Sequence, residues 1–118
     1  MISELSEKEY KELADAAEGQ TLDAILCYAV PDPCPLGFTF SERRELFFWV
    51  LKRLLNDGRI RLAKHGKFLE GSVEEQVELF RRAFPLTEPD MEDGIWFFDE
   101  ACPGGAVWVL EDGSLEWT

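Results

Sequence analysis

The single histidine, His65, and three cysteines, Cys27, Cys34 and Cys102, are the side chains of this 118-residue sequence best suited to covalent or metal chemistry. One histidine rules out a histidine pair, whether as metal ligands or as a proton relay. A Cys₃His zinc site would need ligands paired at short spacing, about two to four residues apart. Here six residues separate Cys27 from Cys34, and Cys102 has no near partner. The thiols therefore read as buried or incidental, and the Cys-Pro pairs at Cys34 and Cys102 as turn chemistry. Nothing in the sequence positions a Cys–His nucleophilic pair. There is no glycine-rich phosphate loop, no G-x-S-x-G elbow and no H-E-x-x-H. With 24 acidic residues in the chain, paired carboxylates mark no site by their abundance. The expectation is a protein that is not an enzyme and carries no metal and no cofactor. An apolar pocket around His65 or Cys34 would favour an enzyme instead.

Charge is more informative than catalysis. The net charge of −12 is unevenly spread: residues 1–40 carry −6, residues 41–87 carry +3, and residues 88–118 carry −9 with no basic side chain. That last block also holds Ile95-Trp96-Phe97-Phe98 and Val107-Trp108-Val109-Leu110, too apolar for a solvated tail. An acidic segment that folds presents a fixed negative surface, which repels nucleic acid and anionic lipid and attracts basic proteins. Aromatics ringed by carboxylates suit that task, because aromatics anchor while charges speed encounter. Of Trp96, Phe98, Trp108 and Trp117, about half are expected in the core. The partner-binding candidates are Asp90, Glu92, Asp93, Asp99, Glu100, Glu111 and Asp112. The basic residues between Arg43 and Arg82 are expected to pair with the acidic ends or to form a dimer contact, leaving a homodimer open.

These residues need a scaffold, and its elements are legible. One domain accommodates 118 residues, and 46% hydrophobic content is enough for a core without disulfides. Ser6-Glu7-Lys8-Glu9 is a capping box opening a helix that stops at Gly19. A short helix follows Thr21, with Leu22, Ile25, Leu26 and Ala29 on one face, and Pro31-Asp32-Pro33-Cys34-Pro35 ends it. The central helix starts near Thr39 or Ser41 and runs to Asn56. Arg59–Ala63 alternates like a strand, and a turn at Lys64–Lys67 leads to a short return strand at Phe68-Leu69. Ser72-Val73-Glu74-Glu75 caps a fourth helix whose apolar face is Val73, Val77, Phe80, Ala83 and Phe84. A polar loop from Thr87 to Gly94 leads to three strands: Ile95–Phe98, Ala106–Leu110 and Leu115–Trp117. Asp112-Gly113 signals a type I′ turn between the last two. The fold class is α+β: about four helices, a short hairpin and a C-terminal antiparallel meander. The helix followed by the 59–69 hairpin faintly resembles a winged helix, but the acidic charge argues against DNA binding.

No apolar run approaches the ~20 residues that span a bilayer. Met1-Ile2-Ser3-Glu4-Leu5-Ser6-Glu7 lacks the basic and apolar regions of a signal peptide. The odd cysteine count argues against a disulfide framework, so a cytoplasmic location is expected.

The run Trp49–Ala63, continuing through Gly66-Lys67-Phe68-Leu69, Glu74-Glu75-Gln76 and Phe80–Pro85 to Trp96-Phe97-Phe98, Cys102-Pro103 and Trp108, resembles a small bacterial family known as a domain of unknown function. Some members look like immunity proteins of contact-dependent growth-inhibition toxins. The resemblance implies a cytoplasmic inhibitor that binds a toxin's effector domain, often a nuclease, and blocks it. It brings no catalytic motif. The expected function is thus an immunity-type protein that occludes a basic toxin domain with an acidic, aromatic-rich surface. A non-catalytic adaptor or regulatory protein is the alternative, ahead of a small enzyme or metal protein.

Overall fold

The computed structural model describes residues 4–31 and 33–118; Met1, Ile2 and Ser3 of the N-terminal stretch and Asp32 of the proline-rich stop lie outside the described residues. Four α-helices and four strands follow in the order α1 (Glu7–Ala17), α2 (Leu22–Tyr28), α3 (Phe40–Asn56), β1 (Ile60–Lys64), β2 (Lys67–Phe68), α4 (Val73–Ala83), β3 (Gly105–Val109) and β4 (Leu115–Trp117). A 3₁₀ segment, Pro89–Phe98, lies between α4 and β3. This is an α+β fold.

Local chemistry sets the helix starts. Ser6 and Ser72 both accept from the backbone N–H three residues on, while Glu9 and Glu75 reach back to the serine N–H, so both capping boxes form. Thr39 caps α3 by accepting from Glu42 N. The seven-residue α2 has no cation in its own last turn; Arg43, on α3, donates to the carbonyls of Leu26 at 2.8 Å and Cys27 at 3.0 Å instead. The helix α3 is central, burying Leu46, Phe47, Phe48, Val50, Leu51 and Leu54. On α4, Val77 and Phe80 are buried but Ala83 is exposed, a departure from the expected face: the helix ends there and Phe84 takes the inward position.

The sheet differs from a C-terminal meander. Its order is β2-β1-β3-β4 with every pairing antiparallel, so the 59–69 hairpin and the C-terminal hairpin fuse along β1 and β3. Ile60, Leu62, Ala106 and Trp108 form the face turned to the helices, and Trp108 Nε1 donates to Gln20 O at 2.8 Å. The opposite face curls: the Phe68 and Trp117 rings, from the two outer strands, approach to 5.2 Å between centroids, with Arg61 stacked 3.5 Å over Phe68.

Ile95–Phe98 is not a strand. Trp96 and Phe97 are both buried, which alternation forbids, and they close an aromatic cluster with Phe47 and Phe84. Two adjacent inward side chains need a turn, and the 3₁₀ winding provides one. The last hairpin also departs from type I′. Gly113 N donates to Leu110 O and Leu110 N to Ser114 O, and only Gly113 of the loop has positive φ. This is a type I turn followed by a left-handed glycine bulge. The type I′ turn occurs instead at His65-Gly66, where φ is 53° and 76°.

Candidate functional site

The 3₁₀ winding decides which side chains face out. Residues three apart eclipse in this geometry, so Ile95 and Phe98 share the side opposite Trp96 and Phe97. They are 62% and 66% exposed. Just before them the backbone turns left-handed for three consecutive residues, Glu92 (φ 50°), Asp93 (φ 56°) and Gly94 (φ 94°). Just after them come Asp99 and Glu100. The result is an exposed apolar ridge with carboxylates at both ends.

Beyond Phe98 the surface dips into a cleft of about 360 Å³. Its walls are the 97–102 loop, the β1–β2 turn with His65, the start of β3 at Gly104-Gly105, and Trp117 of β4. Trp117 is 49% exposed. His65 Nε2 lies 2.9 Å from Glu100 Oε1, and the Lys64 ammonium donates to the carbonyls of Glu100 and Cys102. The His65 hydrogen bond, helped by the His65 and Lys64 charges, holds the Glu100 carboxyl below its ordinary range. The Cys102 thiol is buried and directed at Gly104 O, and burial pushes its pKa up. His65 and Cys102 thus have separate partners, and no nucleophile–base pair forms between them. No three His, Cys, Asp or Glu side chains among the described residues converge in a metal-binding arrangement.

The seven candidate carboxylates divide by what they touch. Glu100 is used internally, by His65 and Lys64. Asp90 accepts from Thr87 Oγ1, Asp99 from Ala101 N, and Asp112 from Ser114, whose hydrogen bonds hold the Asp112 carboxyl low. Among the described residues, none of Asp90, Glu92, Asp93, Asp99, Glu111 and Asp112 is ion-paired with a lysine or arginine. Asp90, Glu92 and Asp93 precede the ridge in sequence and Asp99 and Glu100 follow it; Asp93 lines a hollow with Asp23 and Arg43, Asp99 and Glu100 line the cleft beside His65, and Glu111 and Asp112 sit on the β3–β4 turn beside Asp15, Glu18 and Arg59.

Apart from Lys64, the ion-paired cations engage other carboxylates. Arg53 pairs with Glu7 and Asp57, Arg59 with Asp15 and Glu18, and Arg81 with Glu45. Internal pairing therefore takes up Glu7, Asp15 and Glu18 at the N-terminal end, and from the C-terminal block Glu100. The sequence carries no signal for Ile95, because strand alternation pairs it with Phe97 and the joint burial of Trp96 and Phe97 is visible only in the fold.

Residues 55–118, more than half of the chain, match the family described as "Protein of unknown function, DUF596". The chain belongs to the DUF596 family. The matched region holds the whole sheet, α4, the 3₁₀ segment and all seven candidate carboxylates. The DUF596 chain is also similar in structure to an uncharacterised protein conserved in bacteria, from Neisseria meningitidis. Identity is 28% and the TM-score 0.73, across 93% of this chain and 90% of that one. No curated protein matches it. No helix among its described residues is long and apolar enough to cross a membrane.

Proposed function

We propose that this DUF596 protein binds a basic partner protein, and that the partner is a toxin effector domain, a nuclease, which it neutralises as an immunity protein. One observation carries the reading: Ile95 and Phe98 stand exposed together between carboxylates, and none of Glu92, Asp93 and Asp99 is ion-paired with a lysine or arginine among the described residues. An exposed aromatic beside an aliphatic is an anchor, and desolvated anchors hold most of the energy of an interface. Unneutralised carboxylates around it raise the encounter rate with a cationic surface, toward about 10⁸–10⁹ M⁻¹s⁻¹ at low salt. A nuclease must be basic to hold its substrate, so it fits this surface in charge, and occlusion needs no catalytic group on the inhibitor.

Co-expression with the product of the adjacent gene, followed by pull-down and a growth-rescue test, tests the reading. The expected result is a complex whose association rate falls steeply with ionic strength. Reversing Asp90, Glu92 and Asp93 to Lys should slow capture, and Phe98→Ala should weaken it by about 2 kcal/mol, mostly through faster dissociation. Salt-insensitive association, or capture unchanged in both variants, overturns it.

The cleft beside His65 favours a second reading, a small-molecule pocket, since it is concave and partly aromatic. Gly105 lines the cleft and a Cβ there meets nothing within 4 Å, so Gly105→Leu places a bulky side chain at the cleft wall, with thermal melting as the check that the fold persists. If Gly105→Leu abolishes growth rescue while pull-down persists, the pocket reading prevails.

A further inference from the structure

The two edges of the sheet are guarded differently. At one, β2 is two residues long and carries Lys67, and edge lysines discourage strand pairing. At the other, β4 presents Leu115 and Trp117, 42% and 49% exposed, with neither lysine nor proline.

The register settles which backbone groups of β4 are free. Leu110 N donates to Ser114 O, and Thr118 N donates to Ala106 O. With Trp108 opposite Glu116, residues 114, 116 and 118 face β3 with their polar backbone groups. The N–H and C=O of Leu115 and Trp117 therefore point outward, and they have no partner among the described residues. On the opposite side of β3, Val109 N donates to Arg59 O. The inner side of β4 is thus bonded to β3, and its outer margin is open.

We propose that β4 is the docking edge for an extended basic segment of the partner, which adds as a fifth strand. This rests on the proposed function for the partner's charge and adds the mode of contact. Side chains directly opposite Leu115 and Trp117 fall on the curled apolar face beside the Trp117 ring. The residue between them falls opposite Glu116, which makes no ion pair among the described residues. A cross-strand carboxylate favours a lysine or arginine there. The fitting sequence is thus apolar-basic-apolar, and the carboxylates Glu111 and Asp112 at the turn extend the same preference. A second copy of this chain fits worse. Full antiparallel overlap of two β4 strands sets Glu116 against Glu116, a like-charge pair on chains that each carry −12.

The probe is a capped peptide of alternating valine and lysine, titrated into the full chain at low salt. Its two controls are the same residues in block order and the alternating peptide N-methylated on every second amide. Two variants accompany it. Leu115→Pro removes an outward N–H that makes no bond in the fold, as edge positions allow, and Leu115→Lys places a guarding cation. Thermal melting shows that each is folded. The expected result is binding of the alternating peptide, with slowed exchange of the Leu115 and Trp117 amide protons. Affinity should drop at least tenfold for the N-methylated peptide and for each variant. Equal binding of block and alternating peptides, or of wild type and Leu115→Pro, overturns strand addition; toxin capture sensitive to Asp90, Glu92 and Asp93 but indifferent to Leu115→Pro would do the same while leaving the proposed function standing.

Discussion

Gly104 and Gly105 are neighbours with opposite surroundings. A Cβ on Gly104 would sit 2.9 Å from Ala63 O, a backbone atom that cannot step aside, while one on Gly105 would meet open space. Gly104→Ala should therefore destabilise the fold by about 1–3 kcal/mol, whereas Gly105→Ala should leave the denaturation midpoint nearly unchanged; urea melts of the two variants check both. The cysteines separate in the same way. Cys27 and Cys34 are exposed and Cys102 is buried with its thiol pKa raised by desolvation. A thiol reagent should count two reactive groups in the native protein and three in denaturant. Sequence reasoning reached the unpaired state of these residues but not their division, because burial of Cys102 comes from the 99–104 loop folding under Lys64.

At the scale of elements, the 3₁₀ segment is where stability and binding part company. Left-handed backbone costs a non-glycine residue roughly 1–2 kcal/mol, and both Glu92 and Asp93 adopt it. Glu92→Gly should raise the melting temperature, by about 1 kcal/mol of relieved strain offset in part by glycine's extra unfolded-state entropy. It should also slow partner capture by deleting a carboxylate from the ridge. A variant that is both more stable and a poorer binder would show that the strain serves the surface; one that melts lower would assign Glu92 a structural part. The helices were legible because their signals are local: a serine and a glutamate three residues apart fix α1 and α4 wherever the rest of the chain goes. The 3₁₀ segment was not, since four apolar residues in a row fit a strand as well as a turn until Phe47 and Phe84 are there to receive Trp96 and Phe97. The β1–β3 pairing was equally out of reach, as it joins residues more than 40 positions apart.

For the whole molecule, pH acts through carboxyls held below their ordinary values. Glu7 is lowered mainly by the Arg53 hydrogen bond, Glu75 by the Ser72 backbone N–H, Glu100 by His65 and Asp112 by Ser114. A depressed folded pKa gives stability that is full above the unfolded value, 4.5 for glutamate, and is lost as pH falls through the folded one. Tyr10 works in the other direction. Burial first, and then the hydrogen bond to Asp57, raise its phenol above the ordinary 10.0, so that contribution is full below pH 10.0 and lost as pH rises beyond it. Melting temperature should be flat between these limits and decline on both sides; a decline that begins well inside them would overturn this account. The candidate site was legible as charge, because residues 88–118 contain no cation, but the cleft and the open edge arise only once the two hairpins fuse. One consequence concerns light. Trp96 and Trp108 are sealed in the interior and Trp49 is partly buried, whereas Trp117 stands at the margin of β4 in contact with solvent. Acrylamide should therefore quench Trp117 ahead of the two sealed indoles, and a strand laid along β4 should shield that emission and shift it to the blue, so the protein carries an optical reporter of its own occupancy without a dye.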